Sequence, residues 1–121
     1  MAKGDDIQDR LTELGVHLLQ LCDSLPRTLS NRHLAEQLRR SGTSPAANYA
    51  EARAAESRKD FIHKLGIVFK ELKETGVWLA MIAKQHPLFA KRIESLQAEA
   101  TELCMIISVS IRTLRRNQMT R

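Results

Sequence analysis

The residues of this sequence best suited to chemistry are polar side chains that fall on otherwise apolar helix faces. Asn48 recurs at helical spacing with Leu34 and Leu38. Two carboxylates, Glu71 and Glu74, share a helix face with three large apolar residues. These are Ile67, Trp78 and Met81. Because burying an unpaired carboxylate is costly, we expect each of these groups to bind a partner, either a ligand or another side chain.

A metal centre is the first chemistry that such carboxylates suggest. A di-iron site in a helical bundle needs two Glu-x-x-His pairs and two further carboxylates. The sequence has no Glu-x-x-His, and its nearest spacing is Asp60-x-x-His63, where Asp60 belongs to a helix cap. No serine has a histidine at a suggestive position, and there is no Gly-rich phosphate loop. We therefore predict no metal, no cofactor and no enzymatic activity.

The alternative is that the polar residues pair with one another, and we favour it. A buried Asn can bond to a facing helix and fix its register, which is what we expect of Asn48. Glu51 is expected to pair with Lys64 or with an arginine of another helix. For Glu71 and Glu74 the candidate partners are Arg39, Arg40 and Arg53. We define the polar motif as Asn48, Glu51, Lys64, Glu71 and Glu74.

Positive charge is concentrated in segments of the chain, whose net charge is +5. Residues 103–121 hold four arginines and no acid, and residues 27–40 hold four arginines and one acid. Such clusters bind phosphate backbones, although positive charge also complements the carboxyl ends of helices. The predicted nucleic-acid contacts are Arg39, Arg40, Arg53, Arg58, Lys59, Arg112, Arg115 and Arg116. Trp78 could stack on a base, but we expect it to pack in the protein.

Four helices must position these residues. An apolar fraction of 43% with only 4% aromatic residues is typical of helices rather than of a β-sandwich. The apolar spacing predicts helices from Asp5 or Asp6 to Pro26, from about Ser30, from a Ser57 cap to Gln85, and from Pro87. The short connections predict an all-α, antiparallel up-down-up-down four-helix bundle, with residues 1–121 as one domain.

Two local features of this bundle are less regular. Ser44-Pro45 could begin a new helix, but the helical period continues through it, which favours a single second helix kinked near Gly42–Pro45. Gly66 and Gly76 lie inside the third helix, where each costs about 1 kcal/mol relative to Ala. We expect a neighbouring helix to approach closely at both glycines.

The last helix is apolar on all sides between Leu103 and Ile111, which suggests that a second subunit covers its extra face. We therefore expect a homo-oligomer. The longest apolar run of the sequence, Leu103–Ile107, is too short to cross a membrane. Cys22 and Cys104 form no CxxC pair and are expected to be small buried hydrophobes, and no export signal is visible, so we expect a cytoplasmic protein.

Two stretches of the sequence resemble the motifs of a known family. The first is Arg40-Ser41-Gly42-Thr43-Ser44, followed by Ala47-Asn48 and Ala50-Glu51-Ala52. The second is Asp60-Phe61-Ile62, Lys64-Leu65, Ile67, Lys70-Glu71, Glu74-Thr75 and Trp78-Leu79. Together they resemble the four-helix bundle proteins also called 23S rRNA intervening-sequence proteins. The sequence departs from the family pattern at Pro45, Tyr49, Gly66 and Gly76, which affects local packing.

The resemblance implies a left-handed antiparallel bundle, commonly assembled as a homopentamer, and an RNA-associated accessory role. From it and from the basic clusters we expect a non-enzymatic protein that binds RNA or another nucleic acid. The alternative is a scaffold that binds another protein, such as an accessory partner of a reverse transcriptase, without contacting nucleic acid itself.

Overall fold

Four α-helices and one short 3₁₀ turn make up the computed structural model, which describes the backbone of residues 2–119 and the side chains of residues 2–117. The helices are α1 (Asp5–Ser24), α2 (Leu29–Arg53), α3 (Arg58–Gln85) and α4 (Ala90–Met119). This confirms the predicted all-α class, and within the described residues there is no strand.

The helix ends follow from local chemistry. Pro26 sets the carboxyl-terminal end of α1, because the residue before a proline prefers an extended backbone, and Leu25 adopts one. The side-chain oxygens of Thr28 and Ser57 accept hydrogen bonds from the first turns of α2 and α3. The fourth helix begins later than predicted, because Pro87–Phe89 forms a 3₁₀ turn in which the Phe89 N–H donates to the His86 carbonyl.

The packing order of the helices can be read from paired residues. Along α1 and α2, Gln8 donates to the Ala46 carbonyl, and Cys22, further along α1, donates to the earlier carbonyl of Ala35. The pairs between α2 and α3 and between α3 and α4 also run in opposite chain order. They are Glu51–Lys64 with Arg40–Glu74, and Phe69–Cys104 with Gly76–Gln97. Opposite order is what antiparallel neighbours produce, and it brings alternate helix ends together.

The core lies between the four predicted apolar stripes. In α3 the stripe contributes six buried residues, Leu65, Val68, Leu72, Thr75, Leu79 and Ile82. In α4 it contributes Ile93, Leu96, Ala100, Leu103, Ile107 and Ile111. Cys22 and Cys104 are buried free thiols, as expected of small hydrophobes.

The second helix is continuous. Residues 29–53 form one α-helix with Pro45 inside it, so Ser44-Pro45 is not a new helix start. Pro45 is buried and removes the backbone donor that would otherwise reach the Ser41 carbonyl. The kink near Gly42–Pro45 and the left-handed twist of the bundle stay predictions.

The close approach of one helix backbone to another occurs at other glycines than those predicted. A Cβ on Gly66 would meet nothing within 4 Å, and one on Gly76 would meet only the Gln97 side chain. The close contact is instead between α1 and α2, where a Cβ on Gly15 would lie 3.3 Å from the Gly42 carbonyl oxygen. The expectation for Gly66 was wrong because this position faces open space rather than a neighbouring helix.

Candidate nucleic-acid interface

Arg40 forms ion pairs with the two carboxylates of the polar motif on α3. Its Nη2 lies 3.1 Å from Glu74 Oε1, and its Nη1 lies 3.8 Å from Glu71 Oε1. Of the three arginines proposed as partners for these carboxylates, only Arg40 takes that role among the described residues. Arg40 is therefore largely neutralised and is a poor candidate for contact with a phosphate backbone.

Glu71 is the least satisfied member of the polar motif. Its side chain is only 16% exposed, and its Oε2 has no hydrogen-bond partner among the described residues. Burial raises the pKa of the Glu71 carboxyl, the neighbouring Glu74 charge raises it further, and Arg40 partly opposes both. The indole N–H of Trp78, two turns along the same helix face, is also buried without a partner in the described part of the chain.

Asn48 does not form the predicted bond to a facing helix. Its Nδ2 donates to the carbonyl and the hydroxyl of Ser44, at 3.0 and 2.8 Å, one turn earlier in α2. An amide at this half-buried position reaches the preceding turn more easily than the next helix, because i and i−4 share a helix face. Asn48 therefore contributes to the structure of α2 near Pro45, and a different pair links α2 to α3.

Ser41 and Thr75 form the bond between helices that the sequence interpretation assigned to Asn48. Their hydroxyl oxygens lie 3.1 Å apart, and both residues have no solvent exposure. Thr75 Oγ1 also donates to the Glu71 carbonyl oxygen at 2.9 Å. The sequence does place both residues within apolar stripes. A small hydroxyl is common in such a stripe, however, and so predicts a bond between helices less clearly than an amide or a carboxylate does.

The remaining pair of the polar motif joins Glu51 and Lys64. Lys64 Nζ donates to Glu51 Oε1 at 3.1 Å, which is the first of the two pairings considered for Glu51. Lys64 is 26% exposed and Glu51 is 58% exposed, so the pair lies at the edge of the α2–α3 seam. The polar motif is thus a seam between two helices rather than one ligand site.

Most of the predicted nucleic-acid contacts lie at one end of the bundle. This end holds the start of α1, the end of α2, the start of α3 and the end of α4, because these helix ends share one cleft. Five of the predicted contacts there are exposed and form no ion pair with any described residue. We call them the basic end cluster: Arg58, Lys59, Arg112, Arg115 and Arg116.

Arg53 lies at the same end but is already occupied. Its Nη2 lies 2.6 Å from Asp5 Oδ1 and 3.2 Å from the Lys3 carbonyl oxygen. The hydrogen bond from Arg53 is the main cause that lowers the pKa of Asp5. Arg53 therefore ties the end of α2 to the start of α1, a structural role that the sequence interpretation did not anticipate.

The cleft at this end has both charged and apolar walls. Arg58 lines it beside Phe61, and α4 contributes Val109 and Leu114. Arg116 follows Val109 by seven residues, so the helical repeat places both on the same face of α4. The arrangement offers cations for phosphate groups around a surface that a flat apolar group could contact.

Arg39 is separated from the basic end cluster. It lies more than three turns before the end of α2, where it lines a different cleft with Arg27 and Arg32. Trp78 packs edge-to-face against His33, with ring centroids 6.3 Å apart, and is half-buried, in keeping with a packing role. The eight predicted contacts therefore divide into five unpaired cations at one end, two paired arginines, and Arg39.

The apolar surface of α4 that predicted a subunit contact is partly exposed. Met105 is 62% exposed and Val109 is 47% exposed, while Cys104 is buried. Val77 of α3, 51% exposed, lines the same α3–α4 groove as Met105. Exposed apolar residues grouped in this way leave an unfavourable contact with water that a partner could cover.

Residues 2–117 offer no clear metal or membrane-spanning feature. No group of three or more His, Cys, Asp or Glu side chains there is arranged to hold a metal ion. Asp60, the nearest sequence candidate, lies in the first turn of α3, where its backbone N–H donates to the Ser57 hydroxyl. Of the helices described, none combines the length and the apolar character that a membrane crossing requires.

The chain is similar to a known family and to solved structures. A family model described as 23S rRNA-intervening sequence protein matches residues 5–109. The crystal structure of a protein of unknown function from the S23 ribosomal protein family of Bacteroides thetaiotaomicron is similar, with a TM-score of 0.78 and 31% sequence identity. That likeness covers 87% of this chain and 97% of the other. A search of curated proteins gives no significant match.

Proposed function

Because the chain belongs to the 23S rRNA-intervening sequence protein family, we propose that it is a non-enzymatic accessory protein that binds RNA through the basic end cluster. The observation that carries the proposal is the convergence of five exposed, unpaired cations from α3 and α4 at one end of the bundle. Cations without a protein partner are available to neutralise phosphates, whereas Arg40 and Arg53 are held by carboxylates.

The proposed mechanism of binding is electrostatic and does not depend on the nucleotide sequence of the RNA. Each phosphate that a Lys or Arg neutralises releases counterions, so the affinity falls steeply as salt is added. Arg58 lines the cleft, and contacts with sugar or base there would add to the phosphate contacts. Nothing in this arrangement requires a cofactor, and the protein would act by holding RNA rather than by altering it.

The decisive variant removes two cations of the basic end cluster, Arg115→Gln with Arg116→Gln. With a labelled RNA hairpin in fluorescence anisotropy, we expect weaker binding and a salt dependence whose logarithmic slope is smaller by about 2, one unit for each lost phosphate contact. A matched control, Lys70→Gln with Lys91→Gln, removes the same charge from exposed positions elsewhere on α3 and α4. The control should keep the original slope to within about half a unit.

Purified protein gives a second readout. Prepared at low salt, it should carry nuclease-sensitive absorbance at 260 nm, and the cluster variant should carry less. Binding that does not respond to salt, or an equal loss in both double variants, would contradict the proposal. Protein that is free of nucleic acid and binds no RNA hairpin would favour the protein-scaffold alternative instead.

We further propose that the protein acts as a cytoplasmic homo-oligomer, with the pentamer that the family resemblance suggests as the expected size. The exposed Met105, Val109 and Val77 supply the support, because a second copy would remove this apolar surface from water. Repeating the basic end cluster in each subunit would let modest contacts add up to useful avidity.

Light scattering after size exclusion tests the assembly. Met105→Glu places a charge in the exposed groove and should lower the measured mass. Val16→Glu, which changes a similarly exposed apolar residue of α1, should leave the mass unchanged. A monomer in the unmodified protein would refute the oligomer without affecting the RNA-binding proposal.

A further inference from the structure

A second group of arginines lines a cleft at the opposite end of the bundle. The cleft lies between the last turn of α1, the α1–α2 loop and the first turns of α2, and it encloses about 340 Å³. Three of its lining residues are arginines, Arg27, Arg32 and Arg39. We call this feature the arginine cleft.

The helical repeat explains why these side chains converge. Positions 28, 32, 35 and 39 fall on one face of α2, so Arg32 and Arg39 flank Ala35 with about 10 Å between their turns. Ala35 is buried and small, which leaves space between the two guanidinium groups. Arg39 is also near Cys22 on the opposite wall, where its charge partly opposes the rise that burial causes in the pKa of that thiol.

None of the three arginines forms an ion pair with a described residue, although Asp23 lines the same cleft. Three other arginines that join helices of the bundle do pair with carboxylates. Arg10 lies 2.7 Å from Glu99, and Arg40 and Arg53 also have carboxylate partners. Three neighbouring cations facing one acid repel one another, and an anion placed between them would relieve that repulsion.

The cleft has a rigid floor. Asn31 is 2% exposed, its Nδ2 donates to the Pro26 carbonyl at 2.7 Å, and its Oδ1 lies 2.7 Å from His86 Nε2. These bonds tie the α1–α2 loop to the end of α3. The amino end of α2, which has no acid in its first turn, adds partial positive charge to the same region. The arginines therefore extend from a fixed support, which lowers the cost of ordering them around a ligand.

We propose that the arginine cleft binds a phosphate group, held by charge-assisted hydrogen bonds from Arg27, Arg32 and Arg39. The guanidinium fork matches the spacing of phosphate oxygens, which is why arginine suits this ligand better than lysine. The phosphate could belong to an RNA strand or to a free phosphate ion. The site lies apart from the basic end cluster, so it does not rest on the function proposed above.

The test is the double variant Arg32→Gln with Arg39→Gln, compared with Lys84→Gln with Lys91→Gln, which removes the same charge from the same half of the bundle. Inorganic phosphate is titrated into each protein and followed through the arginine Nε–Hε resonances. We expect the cleft variant to bind phosphate at least about ten-fold more weakly, as loss of charge-assisted bonds implies. The lysine variant should change by less than about two-fold.

The labelled RNA hairpin separates the two sources of phosphate. If the cleft variant loses affinity for inorganic phosphate but not for RNA, the cleft takes the free ion. If it loses affinity for RNA in addition or alone, the cleft contacts the strand. If neither affinity changes relative to the lysine variant, the proposal is overturned. The Arg115→Gln with Arg116→Gln protein keeps the two proposals apart. It should lose affinity for RNA, while its affinity for inorganic phosphate stays unchanged.

Discussion

The second helix packs against its two neighbours in two different ways. Against α1 the contact is steric, because a Cβ on Gly42 would lie 2.6 Å from Leu18 Cδ1 and the Gly42 carbonyl lies beside Gly15. Against α3 the contact is polar, because the Ser41 hydroxyl bonds to Thr75 and Arg40 pairs with Glu74. Ser41 and Gly42 are consecutive, and the 100° turn per residue directs them to different helices.

The difference shows two ways to fix the position of one helix. The glycine contact tolerates no added volume but makes no demand for polar partners. The hydroxyl contact tolerates a substitution of similar volume only if both oxygens are kept or both are removed, because a buried hydroxyl left without a partner costs free energy. Together they hold α2 on both sides near Pro45, where the helix lacks one backbone hydrogen bond.

The largest expected effect comes from filling the steric seam. Gly42→Leu forces a side chain into Leu18 and should lower the free energy of unfolding by about 3 kcal/mol, the upper part of the range for overpacked cores. Gly66→Leu is the matched control, since a Cβ there would meet nothing within 4 Å. It should raise stability by up to about 1 kcal/mol through helix propensity alone. Urea unfolding measures both.

The control makes this prediction sharp. Both substitutions place Leu for Gly inside a long helix, so propensity contributes equally and only the surroundings differ. If Gly42→Leu proved as stable as Gly66→Leu, α1 and α2 would have to separate at little cost. The distinction between a steric seam and a polar seam would then be lost.

The polar seam should respond to a change of polarity rather than volume. Thr75→Val keeps the shape but leaves the Ser41 hydroxyl in the core, and we expect a loss of about 1–2 kcal/mol. The double variant Ser41→Ala with Thr75→Val removes both hydroxyls and should recover part of that loss. Thermal unfolding of the two single variants and the double variant provides the cycle. Strictly additive losses would mean that the hydroxyls do not interact.

The sequence was a good guide to the helices and their core faces. Periodic apolar residues at Leu65, Leu72 and Leu79 predicted a buried stripe because helix geometry alone places them on one face. The Ser57 cap and the end of α3 at Gln85 were predicted to the residue, since caps and prolines act locally. These features need no knowledge of the neighbouring helices.

The contacts between helices were harder to predict. Asn48, the most polar residue of its stripe, was predicted to bond to a facing helix. It bonds within α2 instead, and Ser41 makes the bond to α3. Gly66 and Gly15 have the same chemistry, and only the placement of α2 makes one of them a close contact. Likewise, charge alone could not show that Arg53 is held by Asp5, because that pair joins residues 48 positions apart.

The smallest expected effect concerns Glu71, where the polar seam is incompletely satisfied. Burial raises the pKa of this carboxyl above its ordinary value of 4.5, so the folded chain holds the proton more tightly than the unfolded chain. Ionised Glu71 therefore lowers stability at neutral pH, and this penalty disappears as the pH falls below about 4.5. Glu71→Gln should raise stability at pH 7 by under about 1 kcal/mol, because Gln keeps a polar group at the same site.

The pH dependence and a neighbouring variant show whether this cause is correct. The gain from Glu71→Gln should shrink on acidification, when the wild-type carboxyl becomes neutral in both states. Glu74→Gln removes the closer partner of Arg40 and should instead cost a few tenths of a kcal/mol, as exposed ion pairs do. Two carboxylates one turn apart would then have opposite effects, because one is buried with an unpaired oxygen and the other is paired at the surface. Equal losses from both variants would show that Glu71, too, is stabilised mainly by its pairing with Arg40.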